Sequence, residues 1–169
     1  MAMIEDEDLL LAVLNSAPIT LGVRSDQLDG EIGWEFSERF GGVGTASEQA
    51  ALRSSRDALH ALIRGDDDAA TAALSEVLAT VSLSPRLDVD GIDWRLEAPS
   101  DRRLAARTIL AWSRVLREAP GRLRPCANAE CNLFLIDHSR PGTARWCSMA
   151  TCGNRMKARA YATRARSTS

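Results

Sequence analysis

Cys126, Cys131, Cys147 and Cys152 stand in the last quarter of the chain as C-x4-C-x15-C-x4-C. Two close pairs separated by a loop suit a tetrahedral thiolate site, because each pair wraps one side of an ion and the loop lets the second pair close the other. Nothing else in the sequence restricts the fold as tightly, since four side chains must converge on one point. Zinc is preferred here over disulfides or free thiols. The chain starts "MAMIEDEDLL", acidic where a secretion signal is basic, so a reducing cytoplasm is the expected compartment. With four thiolates and no position spare for water, one structural zinc ion is expected rather than a catalytic one. Asp137 and His138 lie between the pairs and are left out, because the sulfurs already fill the coordination sphere.

Charge divides the chain at the same place. Residues 1–120 carry 12 Arg and no Lys against 21 Asp and Glu, a net of −9, whereas residues 121–169 carry 9 Lys and Arg against Glu130 and Asp137, a net of +7. An acidic front and a basic end predict a polyanion-binding module attached to a domain with another task. No apolar run approaches the ~20 residues of a membrane span, and no membrane partner is expected.

The front reads as mostly helical. "DEDLLLAVLNS" has an acidic first turn, with Leu10, Val13 and Leu14 at helical spacing and Pro18 as its stop. Residues 19–44, rich in glycine, read as a loop with a short helix around Trp34–Phe40. Thr45 and Glu48 have capping-box spacing ahead of Leu52, Leu59, Leu62 and Ile63, and Gly65 supplies a helix stop. A further helix, "DDDAATAALSEVLATV", carries Leu74, Val77, Leu78 and Val81 on one face. In "RLDVDGIDWRLE" an Asp90-Gly91 turn predicts a hairpin pairing Val89 with Ile92 and Leu87 with Trp94, covering part of the core. Ser100 is the expected cap of a last front helix, with Leu104, Thr108, Ala111, Trp112 and Val115 facing inward. The predicted class is α+β: a helical domain with one hairpin over 1–118, a linker over 119–125, and a small treble-clef-like zinc module over 126–169. In that module a hairpin running from Leu133 to Arg145 separates the cysteine pairs and a basic helix follows over about 152–165.

That helix carries no acidic residue. At ~100° per residue, Arg155, Arg159 and Arg166 share one side, with Lys157 and Arg164 opposite. A helix charged on both sides, with Tyr161 between them and otherwise only Met156 and alanines as apolar residues, is either a groove-entering helix or a solvated cap. The candidate nucleic-acid contacts are Arg140, Arg145, Asn154, Arg155, Lys157, Arg159, Arg164 and Arg166. Arg145 and Arg155 have a competing role in offsetting the negative zinc–thiolate centre. Trp146 reads as packed under the module rather than as a base-stacking platform. His60 and Asp57 fit a solvated helix face. The sequence contains no H-E-x-x-H, G-x-S-x-G or phosphate-binding glycine loop, so no enzymatic activity is expected.

The stretch "CANAECNLFLIDHSRPGTARWCSMATCGNRMKAR" closely resembles the CGNR zinc finger, the tetrapeptide being Cys152-Gly153-Asn154-Arg155. Residues 8–118 resemble the ABATE domain found ahead of such fingers, through "LLLAVLNS" with Asn15, "RDALHALI" with Arg56, and the hairpin and helix before the finger. The resemblance implies a DNA-binding regulator of a bacterial stress-induced class. Its expected partners are DNA and a second copy of the chain, with a signal ligand left unidentified. RNA binding, or a protein-interaction module with a purely structural zinc, are the alternatives.

Overall fold

A computed structural model describes residues 2–20, 22–65 and 68–167; for residues 2–5, 20, 68 and 165–167 it describes the backbone alone. Asp66 and Asp67, which the sequence places at a helix dipole, lie outside it. The front is a cluster of helices: α1 (Ala2–Leu14), α2 (Gly30–Arg39), α3 (Ala46–Arg64), α4 (Asp68–Leu78) and α5 (Arg103–Glu118). Leu9, Leu10, Val13 and Leu14 of α1 are buried against Leu52 and Leu59 of α3 and against Leu104, Ala105, Ala111 and Val115 of α5, with Leu74 and Val77 of α4 closing the same core. The 3.6-residue spacing of these side chains makes each helix one-faced, and burying those faces together is what the cluster achieves.

The ends of α3 form as its sequence requires. The Thr45 hydroxyl accepts from the Glu48 N–H at 3.2 Å, and Gly65 takes the left-handed conformation at φ 90°. Glu48 is fully buried and its carboxylate reaches back to accept from the N–H groups of Val43 and Gly44 at 3.0 and 2.8 Å. At α5 the expected cap fails. Arg102 precedes the first turn without a side-chain cap bond, and Ser100 is exposed in the turn before it.

Residues 19–44 hold more structure than their glycines suggest. β1 (Ile19–Thr20) pairs with β2 (Val23–Arg24), and α2 packs on α3. A Cβ on Gly33 would sit 2.8 Å from the Gln49 amide, and one on Gly42 would sit 2.5 Å from Leu104. These two glycines let backbone approach α3 and α5 rather than break the chain. Arg56, almost wholly buried, donates to both carboxylate oxygens of Asp26 (2.8 and 2.9 Å), to Ser16 Oγ and to Asp57.

The hairpin β3 (Ser82–Asp88) and β4 (Gly91–Glu97) forms in a different register. Leu87 faces Ile92, Pro85 faces Trp94 and Leu83 faces Leu96, leaving Val89 and Asp90 as the two-residue loop. The Asp90 N–H donates to the Asp88 carboxylate at 2.9 Å, which fixes the turn one residue earlier than the Asp-Gly pair predicts. The hairpin also covers no core, because none of its residues belongs to or packs on the buried cluster.

After α5, residues 119–125 are only in part a connection. β5 (Leu123–Pro125) pairs antiparallel with β6 (Phe134–Ile136), and Phe134 and Ile136 enter the same core as α1 and α3. The chain ends in one π-turn, Met149–Gly153, running straight into α6 (Asn154–Ser167). No described helix is long and apolar enough to cross a membrane.

Candidate metal centre

β5 and β6 close around residues 126–133, so the hairpin of this module encloses the first cysteine pair. It does not run from Leu133 to Arg145 as the sequence suggests, because β6 finds its partner in β5. Within the knuckle the Cys126 N–H donates to Leu133 O and the Cys131 N–H to Asn128 O, both at 2.8 Å, which turns both cysteines inward. The Ala127 N–H donates to Arg145 O at 2.8 Å and brings the second pair alongside.

The return segment is organised by Asp137. Its fully buried carboxylate accepts from the N–H groups of Ser139 and Ala144 at 2.9 Å, from the Ser139 hydroxyl and from the Arg124 guanidinium. The Ser139 hydroxyl and these other donors hold its pKa down at about 2 against the opposing effect of burial. Asp137 is thus an anchor for the turn. Beyond it Ser148 caps the π-turn by accepting from the Thr151 N–H at 3.3 Å, and that turn carries Cys152.

The four sulfurs all lie within 4.8 Å of one another. Cys147 Sγ stands 3.7 Å from both Cys131 Sγ and Cys152 Sγ. A tetrahedron with Zn–S bonds of ~2.3 Å has edges of about 3.8 Å. Among the described residues, no other cluster of three or more His, Cys, Asp or Glu side chains is placed to hold an ion. Two donors point at the sulfurs: the Cys147 N–H at Cys126 Sγ (3.4 Å) and the Asn128 amide at Cys152 Sγ (3.6 Å). Burial pushes the Cys131 and Cys147 thiols up, and neighbouring sulfurs add to this at Cys147. At Cys152 burial is outweighed by the Asn128 amide and the adjacent thiols, and the pKa falls. Four thiols this close ionise together only with a cation between them, and the cluster fits one structural zinc ion.

The module is clipped to the helical front by amides. Asn15 at the end of α1 donates to Phe134 O (3.2 Å) and accepts from the Phe134 N–H (2.8 Å). Asn132 donates to Ala17 O (2.7 Å) and accepts from the Ile19 N–H (3.0 Å). His60 is no solvated residue. Its Nε2 lies 2.7 Å from Leu14 O and its ring 4.5 Å from the Phe134 ring, with the Arg64 guanidinium on the same ring at 4.8 Å. His138 pairs with Glu7 at 3.1 Å.

The candidate nucleic-acid contacts divide by what they touch. Arg155, Lys157 and Arg164 are exposed on α6, and Arg140 is exposed in the return loop. Arg159 is held by both oxygens of Glu130 at 2.7 and 2.6 Å, tying α6 to the first knuckle. Arg145 lies over the Trp146 ring at 5.3 Å. The Asn154 amide donates back to Ala150 O at 3.3 Å. The side chain of Arg166 is outside the described residues. Trp146 is half-buried, its ring 3.3 Å from where a Cβ on Gly153 would stand. Sequence reasoning missed Asn128, Glu130 and Asn132, whose only signal was their place between or beside ligand cysteines.

Residues 122–165 match the family model of the CGNR zinc finger. The match takes in both knuckles, the π-turn and most of α6. No curated protein matches the chain.

Proposed function

We propose that this chain is a DNA-binding transcriptional regulator in which a structural four-cysteine zinc module presents α6 to the duplex, while the acidic helical part dimerises or senses a signal. The observation that carries the reading is the state of α6. Its described side chains are exposed except for the half-buried Met156 and Ala162, and none of its residues enters the core. It carries five basic residues and no acidic one. An α-helix of this width fits the major groove, and cations on two sides reach both phosphate walls. Arg155 and Lys157 make the phosphate contacts. Arg159 sets the angle of the helix through Glu130 rather than contacting DNA itself. One small module reaches few bases, so sequence selection needs two copies acting together.

The test is binding of zinc-loaded protein to random and genomic duplexes across a salt series. The expected result is a steep fall of log affinity with log salt, its slope reduced by about 1 for each of Arg155→Ala and Lys157→Ala. Enrichment of one site over the pool completes the reading. Preference for structured RNA in competition would make it an RNA-binding factor. No binding at low salt would leave a protein-interaction module.

A further inference from the structure

A two-stranded hairpin on its own is at best marginally stable in water and needs a third strand or a helix across its apolar face. The register of β3 and β4 puts Leu83, Pro85 and Leu87 opposite Leu96, Trp94 and Ile92, all on one face. Among the described residues the core cluster does not reach that face, and only Leu96 at its base is half-buried. Leu87 is 79% exposed, Ile92 63%, Trp94 59% and Leu83 47%, with Val89 at the tip fully so. Together these five side chains leave on the order of 600 Å² of apolar surface open, the upper end of what a monomer shows.

The opposite face carries Ser82, Ser84, Arg86 and Asp88 against Glu97, Arg95, Asp93 and Gly91. Arg86 faces Asp93, Arg95 faces Ser84, and the Ser84 hydroxyl donates to Glu97. The polar face meets water, with one side-chain bond across it, and it is the apolar one that lacks a partner.

We infer that β3 and β4 form a dimerisation arm whose apolar face packs on the same face of a second copy of this chain. Two such faces are self-complementary about a two-fold axis and make a four-stranded, two-layer sandwich with both layers covered. Wholly buried, roughly 600 Å² from each copy gives about 1,200 Å² in total, the lower bound of a stable interface. The face bears no charge, so it does not select a charged partner, whereas a second copy presents an equal apolar face at the protein's own concentration. The inference supplies a surface for the two-copy arrangement proposed above and rests on that reading for its use, not for its geometry.

Sedimentation velocity of the full zinc-loaded chain tests it. The wild type is expected to be a dimer at tens of micromolar, and Leu87→Ser with Ile92→Ser a monomer with unchanged far-UV circular dichroism and zinc content. A wild-type monomer at that concentration, or a double variant that stays dimeric, overturns it. Should the variant misfold, hydrogen exchange of the wild type decides: amides of 83–96 gain protection with rising protein concentration if the arm pairs, and show no change if it does not. A monomeric variant that still binds DNA with a shallower salt slope leaves the DNA reading standing. A dimer that binds no DNA sinks that reading alone.

Discussion

At the scale of single residues, His60 shows how burial converts a surface-looking polar residue into a coupling one. Burial lowers its pKa, with Arg64 and Arg56 pushing the same way and the Leu14 carbonyl and Asp57 opposing. The folded state therefore prefers the neutral ring. Below the ordinary histidine pKa of 6.5 the unfolded chain binds a proton that the folded one resists, so stability falls as pH drops through that value. Between about pH 8 and about pH 5.5, thermal melts of the wild type should lose stability that His60→Gln does not lose. Identical pH profiles for the two would refute this. Gly153 makes a steric case. A Cβ there meets Met149 Sδ at 2.9 Å and the Trp146 ring at 3.3 Å. The exposed methionine end can swing aside, and the ring at 3.3 Å need give only a few tenths of an ångström for one methyl group but more for two others, so Gly153→Ala should cost little zinc affinity and Gly153→Val considerably more, read by competition with a chromogenic chelator.

At the scale of elements, Asn15 and Asn132 act as side-chain extensions of backbone, joining α1 and the β1 segment to the zinc knuckle. Asn15→Ala leaves the Phe134 N–H and C=O without their partners, an expected loss of about 1–3 kcal/mol in urea unfolding at constant zinc. Asn15→Asp keeps the acceptor but sets a carboxylate oxygen against Phe134 O, so it should be no more stable than the alanine variant; equal stability of Asn15→Ala and the wild type would show that water replaces the amide. Elements defined by a long local period were legible in the sequence. The capped ends of α3 and the buried stripes of α1, α4 and α5 follow from patterns within a few turns. The cysteine cluster was legible because metal spacing is a constraint written in residue types. What escaped depended on partners distant in the chain. β5 looked like linker because its mate, β6, lies beyond a knuckle. Gly33 and Gly42 looked like breaks because the helices they approach come later. The Val89-Asp90 turn won over Asp90-Gly91 because the Asp88 side chain supplies an acceptor that a dipeptide preference ignores.

At the scale of the whole molecule, the zinc module and the helical front share one core. Phe134 and Ile136 sit in the cluster that contains Leu9, Val13 and Leu59, and Phe134 is buried as completely as they are. The strand carrying both lies directly beyond Cys131, so the knuckle that holds zinc also holds two core side chains in place. If the thiolates lose their ion, their mutual repulsion and burial oppose a closed knuckle, and β6 loses one of its two anchors. Large apolar side chains contribute roughly 2 kcal/mol each when fully buried. Loosening two of them would lower the melting temperature of a chain this long by about 10 °C. Scanning calorimetry of the zinc-loaded chain should therefore show one cooperative transition, shifted down as a unit by Cys126→Ser or by a chelator. Hydrogen exchange at Leu14 and Asn15 should rise with it, although neither residue touches the metal. Two separate transitions, with the helical front unmoved by zinc removal, would mean that the amide clips and the shared core do not couple the halves.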